Sequence, residues 1–382
     1  MTFTICAPGK TILFGEHAVV HNVPAIAASV ALHTFVTVQE DSDFFVELDF
    51  PHVDLATGWK LEDFAGIEGY ARGITSELDP EIFRKAREIA ESTINAGNSF
   101  SRTAATAFLY LYIAIYLPAK PKSGLRFITS GTLPIGAGLG SSASFSVCVA
   151  AALLKASGQL TAKTPHDEAM DMVTKWSFLG ESCIHGKPSG IDNLVATCGG
   201  AVFFQRPKQG GAPLVKLYEK FPEIGLILTD TCVSRHTSDL VARVADIKAK
   251  WPVLFDHLMA SFEEVVKQAD ALLSGSEVGS NFADKIGELA DINHGLLTTV
   301  GVSHPALELV RETSAKLGMG RTKLTGAGGG GCAITISTEL NPDISAFREH
   351  LHEFRVFVTK LGGAGVGWAD GPADGTPTWT YW

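Results

Sequence analysis

Alternation of apolar and polar side chains over residues 33–39 (HTFVTVQ) and 44–50 (FFVELDF), imperfect but sustained, predicts two strands. Shorter apolar runs at 2–7, 201–205, 225–233 and 333–337, and the stretch carrying Leu125, Phe127, Ile128 and Leu133, read as further strands. Elsewhere the period changes to that of a helix. Residues 143–155 form a small-residue apolar run closed near Gly158, the pattern of a buried helix. Residues 79–95 open on Asp79-Pro80, a helix-start dipeptide. Residues 165–184 carry an apolar stripe of Ala169, Met172, Val173, Trp176 and Leu179. Further helices are expected at 102–117, at 238–273 with a break near Pro252, and at 281–299, 305–317 and 343–359. The segments 57–74, 120–124 and 206–213 read as loops, and a Gly/Pro/Trp-rich tail finishes the chain. Near Pro222-Glu223-Ile224 a boundary is expected between two domains, 1–222 and 223–382.

Composition narrows the class. The chain has 382 residues, 46% apolar and 19% charged, which suits a globular protein with a large core. Its net charge of −10 argues against general nucleic-acid binding. An anionic substrate must then be met by local positive groups. The six cysteines show no CxxC pairing and read as reduced thiols rather than a disulfide frame or a zinc site. No secretory signal is visible, and no apolar run reaches the ~20 residues of a membrane span. The apolar stretch Ala104–Leu117 fits a core helix, so a cytoplasmic chain is expected.

The chemistry concentrates in Pro134-Ile135-Gly136-Ala137-Gly138-Leu139-Gly140-Ser141-Ser142-Ala143, three glycines in five residues between a strand and a helix. Glycines let backbone N–H groups approach a ligand, and the helix start adds free donors and a positive dipole end. The combination is an anion site, most often for phosphate. Ser141 and Ser142 can cap the helix or offer hydroxyls to phosphate or Mg²⁺, the alternative being a tight turn with a serine cap. Gly9-Lys10-Thr11 invites a P-loop reading, but Thr4 stands where that motif needs glycine and Pro8 removes an N–H. Lys10 can still serve as a point charge for a phosphate or a substrate oxygen; a solvated loop lysine is the alternative. His17 and His21 have HxxxH spacing without an evident acidic third ligand, so no metal is expected there. Glu181, near the end of its helix, opposes the dipole and calls for a partner such as a cation. Asp192 falls just inside a helix start, where the dipole favours its charge and where a simple cap is the alternative. Gly326, Gly328 and Gly331 match GxGxxG, but a strand follows, so the five glycines of 326–331 read as a close approach of two backbones.

Taken together, PGKTILFGEH (8–17), PIGAGLGSSAS (134–144) and KLTGAGGGGC (323–332) resemble, in order and spacing, the GHMP kinases, named for galactose, homoserine, mevalonate and phosphomevalonate. GEHAVVH (15–21), FLYLY (108–112) and above all HGKPSGIDN (185–193) are most similar to the branch acting on mevalonate. The resemblance runs from residue 7 to about 336. It implies an α+β fold of two domains, an N-terminal ribosomal-protein-like one and a C-terminal ferredoxin-like one, with the active site in the cleft between them. It implies ATP- and Mg²⁺-dependent phosphorylation of an alcohol. Gly136, Ala137, Gly138, Leu139, Gly140, Ser141 and Ser142 would cradle the triphosphate with Lys10; Ser142 and Glu181 would hold Mg²⁺. Asp192 would take the hydroxyl proton beside Lys10, and Glu16, His17 and Thr237 would line the mevalonate side. A homodimer and inhibition by prenyl diphosphates are implied as well. Phosphomevalonate kinase, homoserine kinase and diphosphomevalonate decarboxylase are the competing readings within the family. Ser144, Lys187, and Cys232 with Ser234 before Arg235 depart from the family pattern.

Overall fold

The computed structural model describes residues 2–41, 45–64, 66–67, 73–95, 97–119, 123–207, 213–218, 221–234, 236–275, 281–372 and 377–382. Arg235 and parts of the loops expected at 57–74, 120–124 and 206–213 lie outside the described residues.

In chain order the strands are β1 (Thr2–Phe14), β2 (Ala25–Asp41), β3 (Phe45–Phe50), β4 (Leu55–Lys60), β5 (Gly124–Gly131), β6 (Ala201–Gln205), β7 (Leu214–Tyr218), β8 (Ile224–Asp230), β9 (Arg321–Leu324), β10 (Cys332–Ser337), β11 (Arg355–Leu361), β12 (Gly367–Asp370) and β13 (Thr380–Tyr381). The helices are α1 (Pro80–Thr93), α2 (Ser99–Leu111), α3 (Ser141–Ala156), α4 (His166–His185), α5 (Ile191–Cys198), α6 (Thr237–Lys250), α7 (Pro252–Ser274), α8 (Phe282–Thr299), α9 (Pro305–Leu317) and α10 (Ser345–His350).

Strand β2 organises the sheet. Its seventeen residues pair with β1 along most of their length, with β5 at one end, with β6 at the other, and with β11 through Val30 and Leu361. The path runs β13-β12-β1-β2-β11-β8-β10-β9, with β3 parallel to β5 and antiparallel to β4. The expected division at 222/223 falls just before β8, and β12 returns from the C-terminal part to pair with β1.

Helix α3 is buried along nearly all of its length because its run of alanine, valine and small polar residues faces β1, β2, α4 and α5. Beneath α1 and α2 an aromatic cluster fills the first core. Phe108 is wholly buried, edge-to-face with Phe127 at 4.9 Å and stacked on Trp59 at 6.1 Å. A Phe108→Ala variant is expected to lose about 3–5 kcal/mol of stability, read as a lowered urea midpoint, because the rigid neighbours cannot close the cavity. The stretch Ser99–Ala119 is long and apolar enough by composition to cross a bilayer, yet 72% of its apolar window is buried inside the protein, as a core helix is. A second core lies between β8, β10 and helices α7 and α8, around Leu226, Leu228, Val266 and Ile334.

Several expectations change in three dimensions. Lys10 does not follow a strand end; it sits inside β1, which continues past a bulge at Pro8/Gly9 to Phe14. Residues 55–60 form β4 rather than loop, because Trp59 packs into the aromatic core. The helix expected over 343–359 is only α10, followed by β11. The β-branched run Val356, Val358, Thr359 pairs along the whole of β8, and that pairing outweighs the helical period. Strand β7 is mostly exposed and carries no continuous apolar run, and β9 has only four residues, so neither stood out in the sequence. The loop 326–331 does bring two backbones together: a Cβ on Gly328, whose φ is +74°, would meet the Val302 carbonyl oxygen at 2.1 Å.

Candidate active site

Strand β5, the glycine loop and α3 place the loop beside Gly9 and Lys10 in the middle of β1. Gly136, Gly138 and Gly140 all take positive φ, and Gly140 itself is the residue before the helix. The serines do not cap α3, so the alternative of a simple serine cap does not hold; no side chain caps the helix. Ser142 is turned instead toward α4, where its hydroxyl donates to Glu181 Oε1 at 2.9 Å. The helix donors that a cap would have occupied remain available to a ligand.

Glu181 is not the exposed glutamate its position could have been. Its side chain is 4% exposed, and Oε2 is buried without a hydrogen-bond partner. Burial pushes its carboxyl up to about 7; the Ser142 hydrogen bond and Lys10 oppose that shift while Asp192 adds to it. His185, one turn along α4, brings Nε2 to 3.3 Å from the Ser142 hydroxyl and 3.6 Å from Glu181 Oε1. Its i, i+4 relation to Glu181 was the available signal for its place in the site.

Lys10 ties the loop to the acid. Its backbone N–H donates to the Leu139 carbonyl at 2.8 Å, and its ammonium reaches the Gly138 carbonyl at 3.4 Å and Asp192 Oδ2 at 3.1 Å. Asp192 occupies the first turn of α5 and is one-third exposed. Lys10, Ser142, Glu181, Asp192 and Thr237 all border one cavity of about 800 Å³, together with Gly136, Gly138, Gly140 and Ser141.

Glu16 and His17, expected on the acceptor side, are not among the residues lining that cavity. Glu16 is fully buried and ion-paired with Lys323, itself wholly buried, and accepts from Asn293 Nδ2 at 2.9 Å. A buried ammonium needs a counter-charge, and Glu16 supplies it. His17 lies against the Ala327 carbonyl at 2.8 Å, fastening the end of β1 to the C-terminal glycine loop. Lys323 had no sequence signal beyond its place just before that loop, and Asn293, in α8, had none. Ser144, a departure from the family pattern, donates to the Ala7 carbonyl at 2.9 Å and locks α3 to β1.

The profile described as GHMP kinases N terminal domain matches residues 101–201, and the one described as GHMP kinases C terminal matches 269–353. The mevalonate kinase of Candida albicans is 39% identical over 394 residues, spanning 96% of this chain and 90% of that protein. The chain belongs to the mevalonate kinase branch of the GHMP kinases. The human mevalonate kinase is 33% identical over 380 residues, covering 95% and 93% of the two chains. Among solved structures, that of L. major mevalonate kinase in complex with R-mevalonate superposes with a TM-score of 0.66 at 23% identity, over 94% of this chain and 96% of that one. The two-domain α+β fold of the family is therefore this chain's fold.

Proposed function

We propose that this kinase transfers the terminal phosphoryl group of ATP to the primary hydroxyl of mevalonate. The observation that carries the reading is the Lys10–Asp192 pair, set beside the glycine loop on the wall of a single cavity. The aromatic and apolar end of the cavity, with Phe50, Val53 and Phe100, suits the nucleobase; the glycine loop and the start of α3 take the phosphates. Asp192 receives the alcohol proton as the new P–O bond forms, when that oxygen has become acidic. Lys10 neutralises charge on the phosphoryl group in flight, and the loop N–H groups add fixed donors.

The donor set fits a divalent cation. Glu181 offers a buried oxygen without a hydrogen-bond partner, beside the Ser142 hydroxyl, and hard oxygen ligands of this kind suit Mg²⁺. When bound there, Mg²⁺ neutralises the phosphates and orients them for in-line attack. Ser142→Ala and Glu181→Gln are expected to raise the Mg²⁺ concentration for half-maximal turnover by about tenfold or more, one lost charge-assisted contact being worth about 1.5–3 kcal/mol. Normal turnover at limiting Mg²⁺ would remove both from that role.

ADP release measured with mevalonate, phosphomevalonate and homoserine in parallel tests the acceptor. Preference for either of the latter two would overturn mevalonate, and release of CO₂ would point to the decarboxylase. The homodimer, inhibition by prenyl diphosphates and a cytoplasmic location implied by the family resemblance belong to the same proposal; sedimentation and a titration with a prenyl diphosphate test the first two.

A further inference from the structure

Mevalonate is an anion, and the acceptor end of the cavity must meet its carboxylate. Lys10 is committed to Asp192 and the glycine loop, and His17 lies off the cavity wall. Among the described lining residues, the other permanently charged cation is Arg355.

Arg355 opens β11 directly across from Asp230, the last residue of β8. Its Nη2 donates to Asp230 Oδ2 at 2.5 Å. The two partners are unequally placed: the Asp230 side chain is 6% exposed and that of Arg355 56%. Asp230 is itself held, accepting from the Cys232 N–H at 3.0 Å through Oδ1. Asp230 thus anchors one edge of a guanidinium whose side chain is more than half exposed. The same wall carries Thr237 at the start of α6, and it is stiffened where Thr231 donates to the Gly331 carbonyl from both its N–H (2.9 Å) and its hydroxyl (2.8 Å). This wall is built from the end of β8, the 232–234 segment, the start of α6 and the start of β11, whereas the aromatic nucleobase end is built from β3, α2 and α3. A planar fork of donors matches a carboxylate in two parallel hydrogen bonds, which an ammonium cannot do.

We propose that Arg355, oriented by Asp230, is a specificity-determining residue that pairs with the carboxylate of the acceptor alcohol. The assignment rests on the kinase reading above. It is tested with full-length wild type, Arg355→Gln and Arg355→Lys, each assayed for ADP release with mevalonate and with the triol in which the carboxylate is reduced to a primary alcohol. For Arg355→Gln the KM for mevalonate is expected to rise about 10- to 100-fold, the range of a lost hydrogen-bonded charge, while the KM for ATP stays within about twofold. Arg355→Lys is expected to fall between, keeping charge without the fork. On the triol the gap between variant and wild type closes, an outcome that a general structural defect would not produce. An unchanged KM for mevalonate, or an equal loss on the triol, overturns the assignment while leaving the kinase reading intact. Wild type inactive on mevalonate overturns both.

Discussion

Replacing Asp192 with asparagine is expected to lower kcat about 10²–10⁴-fold, the usual worth of a positioned general base, with KM for ATP nearly unchanged. The asparagine keeps the size and can still meet Lys10 through its carbonyl oxygen, but it cannot accept the hydroxyl proton. The loss therefore falls on the transition state and not on nucleotide binding. Steady-state kinetics at saturating Mg²⁺ separate the two terms. A kcat within about threefold of wild type, below even the weakest general-base contribution, would take Asp192 out of the reaction. A matching rise in KM for ATP would make it a nucleotide-site residue instead.

A large stability effect is expected at Lys323. Both members of the Lys323–Glu16 pair are fully buried, so removing one leaves an uncompensated charge in the interior. Burial pushes the Lys323 ammonium below its ordinary range and Glu16 opposes that shift, so the pair's charge depends on both partners. Lys323→Met should cost about 3–5 kcal/mol, and the double variant Lys323→Met/Glu16→Gln should recover most of it. The glutamine keeps an acceptor for Asn293, which donates to Glu16 in the native protein. Urea unfolding of the two single variants and the double variant gives the coupling. Additive losses would mean that the two side chains do not act as a unit.

That pair also shows how the site is held. Thr11 and Thr325 hydroxyls meet at 2.9 Å, the Thr325 hydroxyl donates to the Ile12 carbonyl at 3.1 Å, and Lys323 reaches the same carbonyl at 3.3 Å. The strand carrying Lys10 is thereby stitched to the loop whose far end, Gly331, borders the cavity. Glu16 belongs to this fastening rather than to the cavity surface.

Much was legible along the chain because it depends on neighbours in sequence. The glycine loop between strand and helix, the apolar period of α3 and α4, and the place of Asp192 in the first turn of α5 are all local patterns, set by backbone sterics, helix spacing and the helix dipole. The same locality made the family resemblance readable. What the chain order could not supply was any relation between residues far apart. The Ser142 hydroxyl turns to Glu181 instead of capping α3, Glu16 turns inward to Lys323, β11 forms where a helix was expected, and Arg355 comes to rest against Asp230. Each of these is decided by burial and by pairing with a partner tens to hundreds of positions away. A charge buried by the fold takes whatever counter-charge the fold brings to it, and a strand forms where a neighbouring edge is open, so only the assembled sheet and its helices could decide them.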